Sequence, residues 1–134
     1  MIVDTSAIVA ILRDEPEART FAEAIAGASS PRVSAVNFVE AAAVIDAARN
    51  PVASRRFDDF MREAQFIIEP VNDEQARIAR EAYRDFGKGS GHAAGLNFGD
   101  CFAYALARAT GEPILFKGDD FRHTDLPSAL EAGW

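Results

Sequence analysis

Ile2-Val3, Phe66-Ile67-Ile68 and Ile114-Leu115-Phe116 are short apolar runs with no polar alternation, and Arg32-Val33-Ser34 is a further short strand candidate. A strand with one wet face alternates; runs like these suit strands buried on both faces. The stretches between them carry helical periodicity. Thr5 and Ser6 open an apolar segment over 7–12. Glu15-Pro16-Glu17 puts a proline and acids in a first turn, so that helix is expected to run to about Ala26 and stop at Gly27. Phe38, Ala41, Ala42, Ile45 and Ala48 recur at helical spacing until Asn50-Pro51, and Phe57, Phe60, Met61 and Ala64 mark the next helix. Two more are expected over 73 to about 86 and 98 to about 109, the second ending before Gly111. Leu126 reads as the start of a last short strand. The alternation predicts an α/β fold: a central parallel sheet of about four or five short strands with helices on both faces. Ligands of such sheets bind beyond the carboxyl ends of the strands.

At 134 residues the chain is expected to form one domain, 1–134. Residues 87–99 hold five glycines and are expected to form a surface loop, of a length that is usually functional. No apolar run approaches the ~18 residues of a membrane span. Met1-Ile2-Val3-Asp4 lacks the basic and apolar regions of a secretory signal. A single cysteine excludes an internal disulfide or a cysteine-based zinc cluster, and a reducing cytoplasm is the expected location. The net charge of −7 and pI near 4.8 argue against coating nucleic acid through bulk positive charge. An enzyme acting on nucleic acid stays open, because carboxylates gathered around a metal add to the negative total.

Acidic residues fall where the sheet places a site. Asp4 follows the first strand, Glu40 lies in the helix after the second, Asp100 begins the helix after the glycine loop, and Asp119 and Asp120 follow the strand at 114–116. Each also has a purely structural explanation. Asp4 can cap the helix starting near Ser6; Glu40 can complete a capping box with Asn37; Asp100 can complement a helix dipole; Asp119 and Asp120 can be turn residues after Gly118. Their convergence at one sheet edge favours a cation, since clustered carboxylates repel and all-oxygen sites suit Mg²⁺ or Mn²⁺. The matching chemistry is phosphodiester hydrolysis, in which metal ions acidify water and neutralise phosphate charge, with one ion or two.

The segments Met1-Ile-Val-Asp-Thr-Ser-Ala-Ile-Val-Ala-Ile-Leu12, Gly95-Leu-Asn-Phe-Gly-Asp-Cys-Phe-Ala-Tyr-Ala-Leu106 and Ile114-Leu-Phe-Lys-Gly-Asp-Asp-Phe121, with Tyr83-Arg-Asp-Phe-Gly-Lys88, resemble the PIN-domain ribonucleases and most closely the VapC toxins. The resemblance spans nearly the whole chain. It implies a PIN-like fold and a Mg²⁺-dependent endoribonuclease that cleaves cellular RNA, often transfer or ribosomal RNA. It also implies a VapB-type antitoxin partner and a homodimer. Asp4 and Asp100 match the main metal-binding aspartates, Glu40 the conserved glutamate, and Ser6 a hydroxyl position beside the metal. Many PIN domains place the fourth acid three residues before a phenylalanine. Here that position is Gly118, so Asp119 or Asp120 supplies it, with Asp119 preferred.

Arg77, Arg80, Arg84 and Lys88 recur at helical spacing. Arg84, Lys88 and His92 flank the glycine loop and are the candidate RNA contacts; Arg77 and Arg80 are read as a solvated face, and Arg13 is a lesser candidate. His123 is read as structural or surface, Cys101 as core-facing, and Trp134 as packing on the body or meeting a partner. A haloacid-dehalogenase-type phosphatase needs a second aspartate where Ser6 stands, and a receiver domain needs a mid-chain acceptor aspartate. The rival from another class is a non-catalytic PIN-like module that binds RNA or protein.

Overall fold

In the computed structural model, which describes residues 1–130, the apolar runs do form the centre of a parallel sheet. Its strands are β1 (Ile2–Val3), β2 (Arg32–Ser34), β3 (Ile67–Glu69) and β4 (Ile114–Leu115), in the order β3-β2-β1-β4. Ile2 pairs with Arg32 on one side and Ile114 on the other. Helices connect them: α1 (Thr5–Leu12), α2 (Ala18–Ala26), α3 (Ala35–Asp46), α4 (Pro51–Glu63), α5 (Asp73–Phe86) and α6 (Phe98–Thr110). A 3₁₀ turn at Asp120–His123 follows β4.

Successive strand residues point to opposite faces, which explains the absence of alternation. Ile2 and Ile114 join one core with α5 and α6, including Ala79, Leu96, Tyr104 and Leu106. Val3, Val33 and Leu115 join the other with α1–α4, including Ile8, Phe21, Ile45, Phe57 and Met61. Phe60 packs at the edge of this second core against the ring of Phe66, 5.6 Å between centroids.

The structure corrects several expectations. β3 is an edge strand whose Ile67 and Ile68 are 40% and 46% exposed, so burial on both faces fails there, whereas Ile2 and Val3 of β1 and Ile114 and Leu115 of β4 are fully buried. Leu126 starts no strand; one parallel bridge joins Ser128 to Ile114, and Pro127, lacking an N–H, cannot extend the ladder. Helix α2 starts at Ala18 because the preceding residues form a turn: Asp14 adopts φ 52° and the Glu15 N–H reaches the Ala10 carbonyl at 2.9 Å. Ser34, not Asn37, caps α3, accepting from the Val36 N–H at 3.4 Å. Asn37 and Glu40 therefore lie inside that helix and form no capping box. Trp134 lies outside the described residues.

Helix α6 ends at Gly111 with φ 74°, the left-handed conformation that closes the last turn. Gly111→Ala is expected to cost about 1 kcal/mol, because a Cβ is strained there. Urea unfolding checks this; an unchanged midpoint contradicts it.

Candidate active site

Asp4 is the residue at which the chain leaves β1 and enters α1, and it is only 2% exposed. Its N–H donates to the Leu115 carbonyl at 2.9 Å, fixing it to β4. Its Oδ2 accepts from the Ser6 N–H at 3.0 Å and the Ser6 hydroxyl at 2.6 Å. Ser6 Oγ in turn accepts from the Lys117 N–H at 2.9 Å, tying the start of α1 to the segment after β4. Asp4 thus caps its helix, as the structural explanation requires. Its other oxygen, Oδ1, is nevertheless buried without a hydrogen-bond partner. Burial pushes the Asp4 carboxyl up to about 6; the Ser6 hydrogen bonds oppose the shift and Glu40 adds to it.

Asp100 sits in the first turn of α6 and is 8% exposed. It completes a capping box with Asn97: the Asp100 N–H donates to Asn97 Oδ1 at 2.8 Å, and Asp100 Oδ2 accepts from the Asn97 N–H at 3.0 Å. Burial, followed by the charge of Asp4, pushes this carboxyl up to about 7; Asp120 and Glu40 raise it further, against the Asn97 hydrogen bond.

Glu40 Oε1 accepts from the Thr5 hydroxyl at 2.5 Å and lies 3.5 Å from Asn37 Nδ2. Asn37 is fully buried and also donates to Thr5 Oγ1 at 3.2 Å and the Gly99 carbonyl at 3.0 Å. Asn37, Thr5 and Gly99 are the site residues that sequence reasoning missed. The Asn37–Glu40 spacing was the available signal, but it fits a helix cap equally well.

The two candidates for the fourth acid, Asp119 and Asp120, stand differently in the structure. Asp120 acts on the charge of Asp100. Asp119 has an 80% exposed side chain that pairs with Arg122 at 3.5 Å. Gly118, at φ 97°, turns the chain just before both.

Arg84 forks onto Asp85 at 2.9 and 3.2 Å. It lines an apolar groove of about 430 Å³ between α5 and α6, with Arg80, Tyr83 and Phe98. Lys88 is exposed on the glycine loop. His92 is built into that loop: its Nδ1 accepts from the Ala94 N–H at 3.0 Å and its ring meets Phe86 edge-on at 4.8 Å. Arg77 pairs with Asp73 at 2.9 Å, an ordinary surface contact. Cys101 is buried, and burial beside Asp100 pushes its thiol up to about 11, which leaves it inert.

The donor set fits a hard divalent cation. All the donors are carboxylate oxygens, one of them is buried and unpaired, and neighbouring acids add to the raised pKa of Asp4 and of Asp100. Among the described residues no three His, Cys, Asp or Glu side chains are already arranged to hold an ion.

Comparison with known proteins gives the family of the chain. The family model of the PIN domain matches residues 1–126. Ribonuclease VapC28 of Mycobacterium tuberculosis is 56% identical over 131 residues, covering 98% of each chain. Ribonuclease VapC42 of the same species is 50% identical over 129 residues, covering 96% of this chain and 98% of that one. Among solved structures, M. tuberculosis VapC20, described as a sarcin-ricin loop cleaving toxin, superimposes with a TM-score of 0.73 at 16% identity, covering 93% of this chain and 95% of that one. A toxin–antitoxin complex from Klebsiella pneumoniae gives a TM-score of 0.66 at 17% identity, with 90% and 88% covered. With the family model spanning nearly the whole chain and relatives more than half identical, the chain belongs to the PIN-domain family and, within it, to the VapC ribonucleases.

Proposed function

We propose that this chain, a single PIN domain over 1–134, is the toxin of a type II toxin–antitoxin pair and a Mg²⁺-dependent endoribonuclease acting on transfer or ribosomal RNA. The observation that carries the reading is the unpaired, buried Asp4 Oδ1 in the charge field it shares with Asp100, Glu40 and Asp120. These four acids hold the cation, Mg²⁺ or Mn²⁺ in its place. When bound, the ion supplies positive charge for phosphate oxygens and acidifies water. The protein's own part is orientation. Ser6, fixed by the Lys117 N–H, holds Asp4 Oδ2 and leaves Oδ1 for the ion. Arg84, Lys88 and His92 are the proposed contacts to the RNA.

The name of VapC20 supports a ribosomal target, and the Klebsiella complex supports an antitoxin as partner, which the family resemblance makes VapB-type. A homodimer and a cytoplasmic location complete the reading; no helix among the described residues is long and apolar enough to cross a membrane.

The test is incubation of purified, antitoxin-free protein with total RNA in Mg²⁺ and in EDTA, beside Asp4→Asn. Discrete fragments that need Mg²⁺ and vanish in the variant are expected. Intact RNA with folded, Mg²⁺-supplied protein would sink the nuclease reading and favour a non-catalytic RNA- or protein-binding module.

A further inference from the structure

We propose that Asn37 and Gly99 act together as positioning residues for Glu40, Asn37 through hydrogen bonds and Gly99 through the space it leaves; the inference deepens the metal-nuclease reading and rests on it. Asn37 is 0% exposed, and its amide nitrogen reaches acceptors on three elements. These are Thr5 Oγ1 on α1 at 3.2 Å, Glu40 Oε1 on α3 at 3.5 Å and the Gly99 carbonyl on α6 at 3.0 Å. An amide has two N–H groups, and the shorter contacts take them, to Gly99 and Thr5. Thr5 then spends its single proton on Glu40 at 2.5 Å. The relay from Asn37 through Thr5 fixes one oxygen of Glu40 against the helix that carries Asp100.

A packing role does not explain Asn37. Its Oδ1 is buried and has no partner, a destabilising feature that an apolar residue would lack. Backbone freedom does not explain Gly99 either, since it lies within α6 and its φ is not positive. Alanine is the better helix former at such a position. The space is what glycine provides: a Cβ at residue 99 would stand 2.3, 2.5 and 2.6 Å from Oε2, Oε1 and Cδ of Glu40. The backbone of α6 seats directly on the carboxylate, so the Asn37 bond and the missing side chain set the same distance from two sides.

The experiment compares wild type, Asn37→Ala, Gly99→Ala, Glu40→Asp and the double variant Gly99→Ala/Glu40→Asp. Mn²⁺ affinity is read by the electron paramagnetic resonance signal of free ion, and RNA cleavage is read across Mg²⁺ concentrations. Gly99→Ala is expected to fold, because a flexible carboxylate yields to the new methyl. Its Mn²⁺ affinity is expected to drop about 10–100-fold, the usual effect of losing a partner that orients a metal ligand, with cleavage restored at raised Mg²⁺. The shorter Glu40→Asp side chain should restore part of the loss in the double variant, a non-additive result that a merely structural role would not give. Wild-type Mn²⁺ affinity in both folded single variants would overturn the proposal, as would strictly additive losses in the double variant. Absence of Mn²⁺ binding in the wild type would instead sink the metal-nuclease reading. The ¹³C shift of the Glu40 carboxyl carbon, assigned with Glu40→Gln, then decides the positioning claim: it moves in Gly99→Ala if the contact is real and stays if it is not.

Discussion

Asp100→Asn abolishes RNA cleavage while making the metal-free protein more stable at pH 8: that is the expected result. At pH 8 the carboxyl of Asp100, pushed up to about 7 by burial and by Asp4, is ionised, and so is Asp4, pushed up to about 6. Two buried anions then face each other, with the charges of Glu40 and Asp120 adding to the repulsion on Asp100. An asparagine keeps the shape, and its carbonyl oxygen can still accept the Asn97 N–H that Asp100 accepts at 3.0 Å. The helix start survives and the repulsion disappears. A gain of about 1–3 kcal/mol is expected in urea unfolding, given about 1.4 kcal/mol per unit of pKa shift. Activity is expected to drop by about 10³-fold or more, beyond the 10–100-fold typical of a lost orienting partner. Added Mg²⁺ should stabilise the wild type and not the variant, since a ligand stabilises only the state that binds it. A variant that is destabilised and still cleaves would show that Asp100 serves only as a helix cap.

Much of this arrangement is legible in the sequence for a simple reason. Strands buried on both faces cannot alternate, so Ile2-Val3 and Ile114-Leu115 announce a covered parallel sheet, and the sheet edge predicts where Asp4, Glu40 and Asp100 meet. The misreadings have equally local causes. Ser34 and Asn37 are both good cap residues, and the three-residue step from Asn37 to Glu40 is also the step between neighbours on one helix face. Only the tertiary contacts of Asn37, to Thr5 and Gly99, tell the two apart. Asp119 and Asp120 are adjacent in sequence, and nothing in the sequence separates them; in the structure Asp120 raises the Asp100 carboxyl while Asp119 pairs with Arg122. Arg84 reads from the sequence as a candidate RNA contact because it flanks the glycine loop, and in the structure it forks onto its neighbour Asp85. Gly99 carries no signature at all, because the group that excludes a side chain there is the carboxylate of a residue on another helix.

The same buried acids set an unusual pH dependence. Most proteins lose stability on acidification, because carboxylates paired in the native state must be protonated. Here Asp4 and Asp100 have raised values, so between pH 4 and 7 the folded chain keeps protons that the unfolded chain has released. Stability therefore falls with rising pH across that window. The contribution is fully present below about pH 4 and is lost as pH rises through about 6 for Asp4 and about 7 for Asp100. Asp85, lowered by Arg84, works in the opposite sense, but it is exposed and screened. Metal-free protein is expected to melt on the order of 10 °C higher at pH 5 than at pH 8, taking a few kcal/mol and the usual entropy of a domain this size. With Mg²⁺ present the difference should shrink or invert, because the ion favours the charged carboxylates and its uptake near pH 6.5 releases protons. Calorimetry with and without EDTA measures both effects, and Asp4→Asn should flatten the metal-free profile. A metal-free melting temperature that rises steadily from pH 5 to pH 8 would mean that these carboxyls are compensated in solution, and the case for a cation between them would fall with it.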